Sequence, residues 1–262
     1  MPIGSFLSHF KEIKLTTADE KKYGIKVGPL AKIGFKIVGL PHIGLRMRVG
    51  FITRIAKKLP QNSSILDAGC GYGILSFELA QQGFSITSLD LDPDRIEQVS
   101  NMAKNFPKLK GKVTAQVGSI LKTNYQNEQF DLTMCSEVIE HLVEDAQAVR
   151  ELARVTKSGG LVIISVPTDS PRNTVEFRQL GHERPGYSRK MLEDLGVKNN
   201  MSLIKYIPYE FTIGRISARL NLALKYPPLI AFSFYFFYFI SFLDFLIPIG
   251  KANASVAVFK KN

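Results

Sequence analysis

The feature of this sequence that most constrains its fold is a glycine-rich turn between an apolar segment and a helix-forming one. The apolar segment ends at Ile65 and Leu66, and glycine then occupies positions 69, 71 and 73. Glycine adopts backbone conformations that a Cβ forbids, and it lets the main chain approach a ligand closely. Residues 74–80 predict a helix whose first amide groups point back at the turn. The stretch therefore predicts a buried strand, a ligand-binding turn and a helix, in that order.

The spacing of these glycines and the acid before them indicate the kind of ligand. Gly-x-Gly-x-Gly differs from the Gly-x-Gly-x-x-Gly of dinucleotide folds, and Asp67 is poorly placed to face a pyrophosphate. A ligand with a cationic amino acid moiety fits better, which points to S-adenosylmethionine. Residues 84–89 predict a second strand that ends at Asp90, 23 residues after Asp67. A carboxylate at about this distance is placed to bind ribose hydroxyls.

Strands and helices alternate along the rest of the chain. Further strands are predicted at residues 113–117, 130–136, 161–167, 202–211 and 254–261. A helix is predicted from Glu137 to about Thr156, followed by a turn from Lys157 to Gly160. Strands that alternate with helical segments are typical of βαβ units and of a parallel sheet covered on both faces.

Taken in order, these segments resemble the class I S-adenosylmethionine-dependent methyltransferases, in the branch that contains the ubiquinone-biosynthesis O-methyltransferases. The resemblance covers about residues 50–211 and the last strand. It implies an α/β, Rossmann-like seven-stranded sheet with helices on both faces and with strand seven antiparallel between strands five and six. It also implies a helical N-terminal arm. The apolar segment between the last two predicted strands is in addition predicted to be a helical insertion before the last strand. A Rossmann-like domain that binds another ligand is the alternative.

The resemblance implies a set of cofactor-binding residues. The backbone at Gly69 and Gly71 would touch the methionine part, and Asp67 would hold the amino group through water. Asp90 would accept hydrogen bonds from both ribose hydroxyls, and Leu91 would pack on adenine. The full set comprises Asp67, Gly69, Cys70, Gly71, Gly73, Asp90, Leu91, Ser119, Ile120, Cys135 and Ser136.

Three of these assignments depend on local detail. Asp92, the competing acid, precedes Pro93 and is predicted to be an N-cap. Many relatives have an acid beside the adenine amino group where this chain has Gly118, Ser119 and Ile120. Ser119 can replace only part of that contact. Cys135 and Ser136 would end strand four and face the transferable methyl group.

Methyl transfer to a hydroxyl needs an aligned acceptor that loses its proton to a base or under the influence of a metal ion. Glu137, Glu140 and His141 fall at i, i+3 and i+4, on one face of the predicted helix start. His182 falls in the loop after strand five. The Glu-x-x-Glu-His run from Glu137 to His141 resembles the metal-binding motif of the ubiquinone O-methyltransferases and of the small-RNA 2′-O-methyltransferases, which place a further histidine in the loop after strand five.

The resemblance leaves two interpretations of this cluster open. In one, Glu137, Glu140, His141 and His182 bind a divalent ion, for which carboxylate oxygens favour Mg²⁺ over zinc. In the other, no metal is used, and His141, His182 and Glu140 act as catalytic base or positioning groups.

Charge divides the chain into four predicted segments: a basic N-terminal arm or cap (1–60), a catalytic core (61–211), an apolar membrane-associating insertion (212–250) and a terminal strand of the core (251–262). The arm carries 12 Lys+Arg and 3 Asp+Glu (+9), the core 16 and 19 (−3), and residues 212–262 carry 6 and 1 (+5), within a net charge of +11. Basic ends indicate a surface that faces anionic lipid or nucleic acid, with ordinary solvated tails as the alternative. Two cysteines do not make a disulfide framework, which favours a reduced, intracellular protein.

The segment from residue 229 to 249 decides between lipid and nucleic acid. It is apolar and aromatic almost throughout, whereas aromatics that stack on bases are spaced among charges, so nucleic acid is not favoured. A single membrane crossing would separate the last strand from its sheet. We therefore predict that 212–250 is a monotopic, re-entrant or interfacial element, with breaks at Asp244 and Pro248. A helix buried against the core or against a dimer partner is the alternative.

Several basic residues are candidates for phosphate or headgroup contacts. They are Arg215, Arg219 and Lys225 in the insertion, and Lys32, Lys36, Arg46 and Arg48 in the arm. For the arm, a solvated face is an equal alternative.

The sequence thus predicts an S-adenosylmethionine-dependent enzyme that O-methylates an amphiphilic acceptor at the cytoplasmic face of a membrane. A prenylated quinone precursor, a polar lipid or a lipid-linked sugar would fit. The alternatives are a cytoplasmic methyltransferase for a soluble small molecule or an RNA 3′ end, and a cofactor-binding subunit without activity. The sequence does not predict the oligomeric state.

Overall fold

The computed structural model describes residues 43–107, 109, 111–168, 181–223 and 227–262. The described residues between Arg48 and Tyr209, with Lys251–Asn262, belong to one compact unit, and residues 43–47, 210–223 and 227–250 belong to a second. Most of the predicted basic arm, with Lys32 and Lys36, and also Lys225, lie outside the described residues.

The first unit is built on seven strands. They are β1 (Ser64–Ala68), β2 (Ser85–Asp90), β3 (Val113–Val117), β4 (Phe130–Ser136), β5 (Thr156–Pro167), β6 (Met201–Tyr209) and β7 (Ala254–Lys261). The described helices are α1 (Ile43–Ala56), α2 (Ile74–Ala80), α3 (Pro93–Asn105), α4 (Asp145–Val155), α5 (Arg189–Lys198), α6 (Thr212–Ala223) and α7 (Pro227–Ser241), with short 3₁₀ turns at Ile139–His141 and Phe242–Phe245.

The strands form one sheet in the order β3-β2-β1-β4-β5-β7-β6. Neighbours among β1 to β5 are parallel, and β7 runs antiparallel to both β5 and β6. The predicted fold class is therefore confirmed, including the place of strand seven between strands five and six. In this topology β1, β2 and β4 end at the same edge of the sheet, which is where open α/β sheets bind ligands.

The central strands are buried because helices cover the sheet. In β1, Ile65 and Leu66 are fully buried, as the apolar run predicts. Helix α4 buries Ala148, Val149 and Leu152, spaced so that they share one helical face against the sheet.

Two predicted boundaries are wrong. The helix predicted from Glu137 begins only at Asp145, because Glu137 has a left-handed backbone (φ 57°) and residues 139–141 form a separate 3₁₀ turn. The turn predicted at Lys157 to Gly160 is an irregular part of β5, in which the register against β4 shifts between Phe130 and Leu132.

The second unit confirms the predicted apolar helical insertion before the last strand. Helices α6 and α7 and the turn Phe242–Phe245 lie between β6 and β7 in the chain. Within α7, Phe234 and Tyr238 stack with ring centroids 5.6 Å apart. Asn221 of α6 donates to Ser233 Oγ of α7 at 3.0 Å, so the two helices pack on each other. Among the described residues, no helix combines the length and the apolar character that a membrane span requires.

Candidate active site

The glycine turn follows β1, and each of its three glycines has a left-handed backbone. The φ angles are 76° at Gly69, 53° at Gly71 and 73° at Gly73, where a side chain would be strained. A Cβ at Gly69 would overlap the Val138 side chain, whereas a Cβ at Gly71 would have no atom within 4 Å. Gly69 is therefore required by internal packing, and Gly71 borders open space in which a ligand can meet the backbone.

Asp67, at the end of β1, lies beneath this turn and is 2% exposed. Ser76 Oγ donates to Asp67 Oδ2 at 2.6 Å, and Ser88 Oγ lies 2.7 Å from Ser76 Oγ. Burial raises the pKa of Asp67 to about 6, while the bond from Ser76 acts in the opposite direction. A cation bound nearby would stabilise the carboxylate form.

Asp90 ends β2 and connects the turn to the next loop. Its Oδ2 accepts the Gly71 amide at 2.8 Å, and its Oδ1 accepts the Asp92 amide at 3.1 Å. Each carboxylate oxygen keeps a further lone pair, so the group can still accept two hydroxyls. Asp92 accepts the amides of Asp94 and Arg95 at the start of α3, which confirms its predicted role as an N-cap.

The residues predicted to meet adenine lie beyond β2 and β3. Leu91 is 63% exposed directly after Asp90, which leaves an apolar surface for a flat ring. Ser119 Oγ accepts the Leu121 amide at 3.1 Å, and Ile120 is buried in the core beside Leu89. Leu91 thus offers the exposed apolar contact here.

The two cysteines are unreactive as nucleophiles, whereas Ser136 has a hydroxyl available for hydrogen bonding. Burial raises the pKa of the Cys70 and Cys135 thiols far above the ordinary range, so neither is a thiolate nucleophile. Ser136, at the end of β4, has a buried Oγ without a hydrogen-bond partner in the described part of the chain. It is the polar group at this strand end that a bound molecule could satisfy.

Glu137 is not part of the group of potential metal ligands that the structure brings together, and it pairs with Arg48. Its Oε1 lies 3.1 Å from the Arg48 guanidinium and accepts Ser165 Oγ at 3.2 Å, and its amide donates to the Ser165 carbonyl. Burial is the largest single influence on the pKa of Arg48 and acts to lower it, but the charges of Glu137 and Glu140 and the contact with Tyr209 together outweigh burial, so the pKa is raised. Arg48 is therefore an internal ion-pair partner here. Arg46, the other described candidate of the arm, is buried with its guanidinium 4.5 Å from the centre of the Phe234 ring.

Glu140, His141 and His182 do come together. Potential ligand atoms of the three residues lie within 4.8 Å of one another, and the two imidazoles meet edge to face with centroids 4.4 Å apart. His141 Nδ1 lies 3.0 Å from the Gly181 carbonyl oxygen. Since a carbonyl only accepts, Nδ1 carries the proton and Nε2 keeps a lone pair for a proton or a metal.

Glu140 is the most unusual group of this cluster. It is fully buried, and neither carboxylate oxygen has a hydrogen-bond partner within the described residues. Burial, followed by the charge of Glu137, raises its pKa well above the ordinary range, while Arg48 acts in the opposite direction. An unpaired buried carboxylate is costly unless it is protonated or meets a cation, which fits both interpretations of the cluster.

The loop that carries His182 is held by a buried tyrosine that the sequence did not single out. Tyr187 Oη donates to Asp145 Oδ2 at 2.8 Å and lies 3.1 Å from the Ile139 carbonyl oxygen. Arg184 pairs with the same carboxylate at 3.0 Å. These bonds tie the loop after β5 to the turn that bears Glu140 and its neighbour His141.

The predicted residues thus form two groups within the first unit. One surrounds the glycine turn and Asp90, and the other is the Glu140 cluster, without Glu137. The sequence analysis did not predict that Ser76 and Ser88 belong to the first group. Ser88 lies opposite Asp67 in the register of β1 and β2, and the parallel pairing of these strands was the signal that could have indicated this serine. The Arg48 ion pair has no signal in the sequence.

Comparison with known proteins agrees with this geometry. A family model described as a methyltransferase domain matches residues 66–164. The mitochondrial ubiquinone biosynthesis O-methyltransferase of Schizosaccharomyces pombe is 31% identical over 128 residues, 48% of this chain and 46% of that protein. The corresponding protein of Rickettsia canadensis is 35% identical over 101 residues, 38% of this chain and 41% of that protein. The chain thus spans about half the length of the curated relatives it matches.

Solved structures extend the likeness to most of the chain, as fold alone. Geranyl diphosphate C-methyltransferase from Streptomyces coelicolor, solved with Mg²⁺, geranyl diphosphate and S-adenosyl-L-homocysteine, superposes with a TM-score of 0.65 at 13% identity. The superposition covers 83% of this chain and 79% of that one.

Proposed function

Starting from a core that is a class I S-adenosylmethionine-dependent methyltransferase domain, we propose that this protein O-methylates an amphiphilic acceptor at the face of a membrane. The observation that carries the proposal is the open, left-handed Gly71 between the buried Asp67 and the ribose-binding position Asp90. This arrangement suits a ligand with a cationic amino acid at one end and a ribose at the other.

In the proposed complex, the Asp67 carboxylate stabilises the ammonium group of S-adenosylmethionine through water. Asp90 accepts the two ribose hydroxyls, and Leu91 covers one face of adenine. Val138 packs against Gly69 and fixes the backbone that meets the methionine part. These contacts hold the sulfonium methyl at the ends of β1 and β4, so the protein supplies alignment and exclusion of water.

The transfer itself is a displacement at carbon. A lone pair of the acceptor oxygen forms a bond to the methyl carbon, the bond from carbon to sulfur breaks, and its electron pair stays on sulfur as S-adenosylhomocysteine. The acceptor hydroxyl loses its proton to a base. His141 is the proposed base, because Nδ1 bonded to the Gly181 carbonyl leaves Nε2 able to accept.

The Glu140 cluster serves either as a metal site or as a metal-free base with its positioning groups. A bound divalent ion would lower the pKa of an acceptor hydroxyl. Two imidazoles and one carboxylate suit zinc or manganese better than Mg²⁺, which prefers oxygen ligands. Dialysis against a chelator separates the two roles. Loss of turnover that returns with one metal supports the metal site, and undiminished turnover removes it.

The acceptor class is proposed from the relatives and from the composition of the chain. The matched relatives are named for ubiquinone biosynthesis, which favours a prenylated quinone precursor over other lipids. The apolar insertion at 212–250 and the basic arm at 1–60 would keep the protein at the membrane that dissolves such an acceptor, on the cytoplasmic side.

Methyl transfer from labelled S-adenosylmethionine tests this function. The full-length protein is incubated with a membrane lipid extract, a soluble metabolite extract and total RNA in parallel. Label in the chloroform phase supports the proposal. Label confined to the metabolite or RNA fraction favours those alternatives, and cofactor binding without transfer to any fraction favours a non-catalytic subunit.

A further inference from the structure

Residues 242–249, here called the tip loop, follow helix α7 and expose nearly all of their apolar side chains. The exposed members are Phe242, Leu243, Phe245, Leu246, Ile247 and Ile249. Leu246 is 78% exposed, and Phe239 on α7 is 64% exposed. Single exposed apolar residues are ordinary, but a continuous run in one loop marks an interaction surface.

The single charged residue of the tip loop is turned inward. Asp244 is fully buried, with Oδ1 accepting the Ile213 amide at 3.0 Å and Oδ2 accepting the Gly214 amide at 2.8 Å. These amides belong to the first turn of α6, where a carboxylate is stabilised by the helix. A Cβ at Gly214 would lie 2.5 Å from Oδ2, so glycine admits this cap. The outer surface of the loop is therefore free of negative charge.

The backbone of the tip loop is also largely satisfied from within. The Leu246 and Ile247 amides donate to the Leu243 carbonyl at 3.0 and 2.8 Å, and Ile249 donates to Ile247 at 2.9 Å. The Ile249 carbonyl accepts both the amide and the hydroxyl of Thr212. Such bonds also form in loops that face water, but an apolar surrounding requires them because it penalises every unpaired amide.

Two arginines of α6 give the region next to the tip loop a positive charge. The Arg215 guanidinium lies 3.4 Å from Thr212 Oγ1, the hydroxyl that donates to Ile249. Arg219 lies one turn further along α6 and is exposed. An apolar tip above a basic base matches an anionic bilayer, in which hydrocarbon lies beneath a layer of phosphates.

We infer that the tip loop is the element that enters an anionic bilayer, with Asp244 withdrawn as the cap of α6 and Arg215 at the phosphate level. The inference rests on the proposed function and narrows its membrane contact from the whole insertion to these eight residues. Neither helix crosses the bilayer in this arrangement. The loop enters and leaves on the same side, and the basic residues give it a preference for anionic lipid.

Vesicle flotation of the full-length protein tests the inference. We compare vesicles of phosphatidylcholine alone with vesicles that also contain phosphatidylglycerol. Wild-type protein should float with the anionic vesicles, and Ile247→Glu should lower its partition about tenfold or more. Ile204→Glu is the matched control, because Ile204 and Ile247 are each 54% exposed and Ile204 lies in β6. This variant should float like wild type.

Two further readouts complete the test. Arg215→Gln should weaken flotation with anionic vesicles only, and added salt should remove that difference. The rival interpretation is that the tip loop contacts a second copy of the chain, and light scattering tests it by measuring the oligomeric state of each variant in solution. The inference is overturned if Ile247→Glu floats like wild type. If the same variant also dissociates a dimer, the tip loop is instead a contact between two copies of the chain.

The proposed function is tested separately from this inference. Methyl transfer to a short-chain, water-soluble acceptor without vesicles should be equal in wild type and Ile247→Glu. Flotation without any methyl transfer would contradict the function and leave the tip loop intact. Transfer with no flotation would contradict the tip loop alone.

Discussion

Substitution of Gly71 by alanine separates the cost of backbone strain from the cost of blocking a ligand. The residue has φ 53°, and the added methyl group would meet no protein atom within 4 Å. The left-handed conformation costs a residue with a side chain about 1–2 kcal/mol, which for a chain of this size lowers Tm by about 2–8 °C. In the proposed complex, the added methyl group would also occupy space in which the cofactor contacts the backbone. We expect affinity for S-adenosylmethionine to fall at least about tenfold, a loss of about 1.4 kcal/mol.

Gly159→Ala is the matched control for this variant. Gly159 has φ 75°, its added methyl group would also meet open space, and it lies in β5 in the irregular part that faces β4. Thermal denaturation should report a similar loss of stability for both variants, while titration calorimetry should report weaker cofactor binding for Gly71→Ala alone. Equal affinities in the two variants would refute the assignment of this turn as the cofactor contact.

Three further predictions concern buried polar side chains. Because burial raises the pKa of Asp67 to about 6 from 3.8, the folded state binds its proton more tightly, and stability should fall as pH rises from about 4 to 6. Asp67→Asn should remove this fall, at most about 3 kcal/mol, in urea unfolding measured across that range. Tyr187→Phe should cost about 1–3 kcal/mol by removing the buried bonds to Asp145 and the Ile139 carbonyl. It should also lower kcat more than it changes the KM for S-adenosylmethionine, and an unchanged kcat would show that this loop has no part in turnover. Asp244→Ala should cost about 1–2 kcal/mol as a lost helix cap, with Asp244→Asn less affected in the same unfolding assay.

Sequence patterns were sufficient to predict the sheet and to bring Asp67, the glycine turn and Asp90 together. The apolar run before Asp67, the three glycines and the acid at Asp90 are local signals, and a parallel sheet brings the ends of β1 and β2 together whatever the loops do. The N-cap at Asp92 was predictable for the same reason, since its bonds reach only two and three residues ahead.

The arrangement of the Glu140 cluster depends on tertiary contacts that no local pattern contains. Helical spacing predicted that Glu137 and His141 lie on one helix face, but no helix forms there because Glu137 has a left-handed backbone. The Glu137 carboxylate pairs with Arg48, 89 positions earlier in the chain. The place of His182 depends on the bonds of Tyr187 across more than 40 residues. The burial of Asp244 likewise depends on its hydrogen bonds to α6, about 30 residues earlier in the chain. Because the sequence does not show those bonds, it predicted only a break in the apolar run at this charged residue.

The most direct test of the central claim is the reaction with a defined acceptor. The full-length protein is given S-adenosylmethionine and a prenylated catechol in anionic vesicles, and the products are identified by mass spectrometry. We predict S-adenosylhomocysteine together with acceptor that is one methyl group heavier at a hydroxyl oxygen, and about tenfold less of both products with Gly71→Ala when S-adenosylmethionine is kept below its Kd. Acceptor that stays unmethylated while a water-soluble metabolite or RNA gains the methyl group would contradict the account.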